Sequence, residues 1–212
     1  MLAVLGIHNL APASDASTSD EELARRAAAG RLDCFELLLK RYRDRVFRIC
    51  YRCAGNAEDA EDWAQECFVR AFEQLHRFDP SYPFAPWFLR LVSNSCINLA
   101  KARARRPHWD GDQDIVEQTP TYEEPLSQLV QTHEEQTILH AVGQLPPDMR
   151  VALTLRVVEE LSFKEIAQIL DVPLQTAATR VRRALEQVRR TLQSEPSAPP
   201  VPTPRAALLR KP

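Results

Sequence analysis

Five arginines, Arg180, Arg182, Arg183, Arg189 and Arg190, fall between Leu174 and Gln193 against one acid, Glu186, which concentrates a charge of +4 in a single segment. Guanidinium groups at that density suit phosphate. The same segment opens with Gln175, Thr176 and Thr179. Gln and Arg can read base edges in pairs of hydrogen bonds, and Thr can touch a thymine methyl. The segment is exceptional for this chain, whose 212 residues carry 27 Lys plus Arg against 29 Asp plus Glu, a net charge of −2. Attraction to nucleic acid must therefore be local.

Charge is also segregated in the first half. Ala54 to Val69 carries Glu58, Asp59, Glu61, Asp62 and Glu66 without a base, and Arg90 to Arg106 carries Arg90, Lys101, Arg103, Arg105 and Arg106 without an acid. DNA repels an acidic face, so the first stretch suits a basic protein surface, and the second suits nucleic acid. Asn94 and Asn98 lie four residues apart in the basic stretch, on one face if it is helical, where an amide can pair with an extruded base or serve as an ordinary surface amide. Phe78, Tyr82, Phe84, Trp87 and Phe88 could stack on unpaired bases or fill a core. Cys50-x-x-Cys53 has the spacing of a metal or redox site, but it falls inside a helical pattern with no second Cys or His pair at ligand spacing. The five cysteines, Cys34 included, read as buried thiols, and no metal, cofactor or catalytic residue is expected.

Helices must position these groups. Phe35, Leu38, Leu39, Tyr42, Val46, Ile49, Cys50 and Cys53 make one helical face, ended at Gly55-Asn56; Ala60 to Leu75 makes a second, and Trp87 to Leu99 a third. A short helix near Glu21 to Ala29 completes a bundle over 19–106. Residues 107–134 read as an acidic flexible linker, 135–193 as a second helical domain, and 1–18 and the Pro-rich 194–212 as disordered ends. In the second domain Ser162-x-x-Glu165 has the pattern of a capping box, Asp171-Val172-Pro173 that of a tight turn, and Val181, Ala184, Leu185 and Val188 give the next helix an apolar face. That is a helix-turn-helix. The fold class is all-α: two small helical domains, the second with the helix-turn-helix. Lack of an apolar run of about 18 residues or of a basic leader points to a cytoplasmic protein.

Several blocks then carry a resemblance. Asp59-Ala60-Glu61-Asp62-Trp63-Ala64-Gln65-Glu66-Cys67-Phe68-Val69-Arg70-Ala71-Phe72, Arg77-Phe78-Asp79, Pro86-Trp87-Phe88-Leu89-Arg90, and later Leu145-Pro146-Pro147 with the helix-turn-helix resemble the extracytoplasmic-function group of bacterial sigma factors. The resemblance implies a subunit that directs core RNA polymerase to promoters, is not an enzyme, and is controlled by an anti-sigma factor. It implies that Asp62, Gln65 and Glu66 bind core polymerase. It further implies that Asn94, with Trp87 and Arg90, handles a flipped base of the downstream promoter element, and that Thr179, Arg180, Arg182 and Arg183 read the upstream element. Gln175 departs from the family's usual Gly, and Ala178 from its usual Lys or Arg, which leaves the DNA face one cation short of the family pattern. Two rivals compete with this reading. A repressor-like factor accounts only for the second half, and a metal or redox protein rests on Cys50 and Cys53 alone.

Overall fold

The computed structural model describes residues 18–105 and 133–194, and every regular element among them is helical. The expected disordered ends, the acidic linker and Arg106 fall outside the described residues. Four α-helices form the first region: α1 (Asp20–Ala28), α2 (Leu32–Ala54), α3 (Ala57–Gln74) and α4 (Phe84–Arg105); four form the second: α5 (His133–Gly143), α6 (Pro147–Val157), α7 (Phe163–Leu170) and α8 (Leu174–Ser194).

Local signals account for the boundaries. Gly55 ends α2 at a φ of 88°, in the left-handed region that glycine enters without steric cost. Asn56 then caps α3, accepting the Asp59 N–H at 2.8 Å. Helix α4 starts at Phe84, ahead of the Trp87 start that the apolar pattern suggests, with Pro86 inside its first turn. A proline there removes only a donor that has no partner within the helix. The Phe84 N–H, one such orphan, is taken by the Glu21 carboxylate at 3.0 Å, which ties α1 to the start of α4. This amide holds Glu21 below the usual carboxyl range. The contact therefore contributes above the ordinary carboxyl pKa and is lost as pH falls through the lowered one.

The aromatic residues near α4 divide by burial. Phe84 and Phe88 are buried, Tyr42 sits edge-on to both, and Phe78 packs edge-on to Phe84 at 5.3 Å. Trp87 is half-buried against Phe78 and Phe84. Only Tyr82 of the five sequence candidates for base stacking is fully exposed, because the spacing of Phe84 and Phe88 places both rings on the inner face of α4. Of the two readings open for these rings, Phe78, Phe84 and Phe88 take core packing.

In the second region Ser162 and Glu165 form the complete capping box, with the Glu165 N–H donating to Ser162 Oγ and the Ser162 N–H to Glu165 Oε2 at 2.8 Å. Asp171 takes a positive φ of 53° at the end of α7, and α8 follows. Ser162→Ala removes the side-chain acceptor that starts α7 and is expected to cost about 1 kcal/mol. That corresponds to a melting temperature lower by roughly 2–4 °C, to be read by circular dichroism.

The two regions share a buried core. Helix α4 packs on α6 and α7, and α2 on α5 and α6. Ion pairs cross the boundary: Arg45 with Glu159, Lys101 with Asp148 at 3.2 Å, and Arg90 with Asp171 at 2.6 Å. Arg150 of α6 donates to the Cys53 carbonyl at 2.5 Å and to the carbonyls of Gly143 and Leu145. Arg103 likewise donates to the Ala54 carbonyl at 3.2 Å. Two guanidiniums thus satisfy carbonyls at the end of α2, where the helix leaves its acceptors unpaired and its dipole is negative.

Candidate functional site

Helix α3 displays the acidic face. Glu58, Glu61, Asp62 and Gln65 are exposed, and none of the four has a hydrogen bond or ion pair among the described residues. Opposite them Ala60, Trp63, Ala64, Cys67 and Ala71 bury the inner face. Two acids of the stretch are engaged within their own region: Asp59 by Arg103 and by Asn56 at 2.8 Å, and Glu66 by Arg70 at 2.7 Å. The acidic surface is therefore centred on Asp62 and Gln65, with Glu66 at its edge.

Helix α4 carries a stripe. Arg90, Asn94, Asn98, Lys101 and Arg105, spaced by four, four, three and four residues, are all exposed and lie along one face. A stripe with two hydrogen-bonding amides at its centre and cations toward both ends can bind a strand backbone while pairing with a base. Trp87 lies beside the start of this stripe, half-buried. Arg103 is off it: in helical rotation it points toward the α2–α3 turn, where Asp59 and the Ala54 carbonyl hold it. It remains exposed, so it differs from the stripe residues in direction and in its partners on the α2–α3 turn. The stripe is also less free than its charge suggests, since Asp171 and Asp148 of the second region pair with Arg90 and Lys101.

Helix α8 buries Ala177, Val181 and Ala184. Its opposite face carries Gln175, Arg182, Arg183, Arg189 and Arg190, all exposed, with Thr176 and Thr179 half-buried nearer the start. Arg180 departs from the expectation of an outer cation. It lies about 60° from the centre of the buried stripe, is half-buried, and approaches Asp148 at 3.4 Å. Gln175, Thr176, Thr179, Arg180 and Arg183 nevertheless line one shallow groove together with Pro146, Asp148 and Met149. In a helix-turn-helix it is the N-terminal residues of the second helix that reach base edges in a major groove, and here these are polar.

Sequence reasoning missed Asp148, Arg150 and Glu159, whose roles are contacts between regions distant in sequence; an acid and a base in helical segments otherwise match any solvated face. It also missed the grouping of the cysteines. Cys67 of α3 and Cys96 of α4 join Cys50 of α2, with the three sulfurs within 4.8 Å of one another. The missing second ligand pair for Cys50 is thus supplied by other helices, while Cys53 lies a turn further along α2. These thiols are the groups among the described residues able to hold a metal.

Comparison with known proteins agrees with this arrangement. Residues 38–106 match the family model for sigma-70 region 2, and residues 135–188 that for sigma-70 region 4. The RNA polymerase sigma-H factor of Pseudomonas aeruginosa is 32% identical over 184 residues, covering 82% of this chain and 94% of that one. The ECF RNA polymerase sigma factor SigW of Bacillus subtilis is 30% identical over 178 residues, covering 80% and 94%. In fold, the chain resembles CnrH in its complex with the cytosolic domain of CnrY, with a TM-score of 0.61 and 22% identity over 84% of this chain and 100% of that one. It also resembles the sigma factor RpoE of Bartonella quintana, in complex with the anti-sigma factor NepR, with a TM-score of 0.56 and 19% identity over 76% and 98%. A chain whose described residues are helical and whose two halves match sigma-70 regions 2 and 4, the second with a helix-turn-helix, is a transcription initiation factor of the sigma-70 class. This chain belongs to the extracytoplasmic-function group of bacterial RNA polymerase sigma factors, which direct core polymerase to promoters.

Proposed function

We propose that the work of this sigma factor is divided among three surfaces. Asp62 and Gln65, with Glu66 at their edge, bind core RNA polymerase. The α4 stripe of Arg90, Asn94, Asn98, Lys101 and Arg105, with Trp87 beside it, holds the opened downstream promoter element, and Gln175, Thr176, Thr179, Arg182 and Arg183 read the upstream element as duplex. Arg180 assists from the groove wall. Residues 19–106 and 135–193 are the two working domains in this reading. The cost of unpairing is offset by phosphate contacts and by hydrogen bonding of displaced bases. The chain makes and breaks no bond of its own, and it works in the cytoplasm with the polymerase; no described helix is long and apolar enough to cross a membrane. An anti-sigma factor controls it by covering the acidic and α4 surfaces. The observation that carries the reading is the separation of sign: exposed, unpaired carboxylates on α3 against exposed arginines on α8.

Transcription from a cognate promoter with purified core polymerase tests the reading as a whole, and binding to operator-like DNA without any response to core polymerase would refute it. The α8 assignment has its own test. Arg182→Ala with Arg183→Ala removes two phosphate-directed charges and should lower the slope of log affinity against log salt by about two. Upstream duplex binding should fall at every sequence tested, in fluorescence anisotropy across a salt series. An unchanged slope would take these arginines off the DNA.

A further inference from the structure

Three thiols meet inside the region 2 domain. Cys50, Cys67 and Cys96 come from α2, α3 and α4, each is fully buried, and each is a free cysteine. Their sulfurs all lie within 4.8 Å, with Cys50 Sγ and Cys96 Sγ 3.8 Å apart. Burial alone does not bring thiols together: Cys34 is equally buried on α2 and is outside the group. Thiolates bound to one metal ion at about 2.3 Å stand roughly 3.8–4.0 Å from each other, in tetrahedral or trigonal arrangement. The observed spacing is within a small side-chain adjustment of that geometry. A disulfide, by contrast, needs sulfurs about 2.05 Å apart and uses only two of the three.

The donor set selects the ion. Three soft sulfurs with no His or carboxylate in the group exclude hard cations and favour thiophilic ones. Zn²⁺ in a closed site takes four ligands, and an open zinc site keeps a water in the fourth position. Here all three sulfurs belong to buried residues, and Cys53, a turn along α2, borders Cys96 but lies outside the group of three mutually close sulfurs. Monovalent copper accepts three thiolates without a fourth ligand. We infer that Cys50, Cys67 and Cys96 form a trigonal thiolate site for a soft monovalent ion of the Cu(I) class. On binding, each ligating thiol releases its proton to solvent while the sulfur lone pair goes to the ion; no electron is transferred. The ion would join the helix that carries the acidic face, α3, to the helix that carries the DNA stripe, α4, so its occupancy stiffens both surfaces.

The test uses the full reduced chain under anaerobic conditions, titrated with Cu(I) supplied as its acetonitrile complex in competition with a Cu(I) chelator. One equivalent is expected to bind, with the ultraviolet charge-transfer band of copper–thiolate bonds and three sulfur neighbours in X-ray absorption. Melting should shift upward by about 5–10 °C at a free-ion excess of about a hundredfold over Kd. Cys67→Ala and Cys96→Ala should each weaken binding at least about 100-fold, whereas Cys34→Ala should leave it unchanged; far-UV helicity reports whether each variant folds, and the X-ray absorption of the natural chain needs no variant. Failure to bind in competition, mixed oxygen or nitrogen coordination, or affinity unchanged in the two variants would overturn the site. Retention of Zn²⁺ with four ligands in place of Cu(I) would overturn the choice of ion, and conversion of the thiols to a Cys50–Cys96 disulfide without metal uptake would overturn the metal role.

Discussion

Replacing Asp62 and Gln65 together with alanine is expected to weaken binding to core RNA polymerase by roughly 30- to 1,000-fold, while the melting temperature moves by no more than about 2 °C. The two halves of this expectation follow from the same geometry. Both side chains are exposed on α3 and make no hydrogen bond or ion pair among the described residues, so their removal breaks no polar contact within the fold. Alanine is also the best helix former, which protects α3 itself. At an interface, a carboxylate and an amide that meet donors on a basic partner are lost together, and each such truncation at the centre of a contact costs about 1–2 kcal/mol or more. Fluorescence anisotropy of labelled protein against core polymerase measures the first half, and calorimetry the second. Duplex binding by the isolated chain serves as the internal control and should not change, since α8 is on another region. Normal core binding by the double variant would move the docking surface elsewhere. Glu66→Ala is a poorer probe, because it also breaks the pair with Arg70.

How much of this was legible beforehand depended on whether a feature is local. The capping box at Ser162 and Glu165, the Gly55 stop and the apolar face of α2 are set by interactions within a turn or two of helix, and each stands where the spacing puts it. The acidic centre at Asp62 and Gln65 was legible for the same reason: charge that finds no partner within its own helix shows as an unbroken run. The partners of Arg103 and Arg180 were not legible, because each looks like its neighbours in sequence and only the fold brings Asp59 or Asp148 to it from another element. Phe84 and Phe88 were open to either reading, since an aromatic residue serves base stacking and core packing equally well until the inner face of the helix is known. Cys67 and Cys96 carry no mutual spacing signal at all. Their meeting with Cys50 is a product of bundle topology, which periodicity does not encode.

Arg45→Ala is expected to part the two helical regions. Glu159, which follows α6, keeps only 4% of its side-chain surface in contact with solvent, and it faces Arg45 of α2 and, at 3.9 Å, Arg48. One of its oxygens, Oε1, has no hydrogen bond. Removing one partner of a buried pair leaves an uncompensated charge, at a cost of about 3–5 kcal/mol, more than is returned by Arg48 at the edge of contact distance. The other ion pairs across the boundary are exposed. Arg90 with Asp171 and Lys101 with Asp148 contribute about 0–1 kcal/mol each, too little to hold the regions against that cost. Separation returns the carboxylate to water against the apolar contacts of α4 with α6 and α7 and the Arg150–Cys53 hydrogen bond, and small-angle scattering should record a larger radius of gyration for the variant. Parting would also remove Asp171 and Asp148 from the two ends of the α4 stripe. Binding of a single-stranded downstream-element oligonucleotide should then rise severalfold at low salt, where two nearby carboxylates repel phosphate most. The double variant Arg45→Ala with Glu159→Leu separates charge from packing: with both ions gone and an apolar side chain in the buried position, the closed arrangement should return, because replacing a whole buried pair by apolar groups is nearly neutral or stabilising. Equal radii in all three proteins would show that apolar contacts between α4, α6 and α7, and not this ion pair, decide how the regions sit.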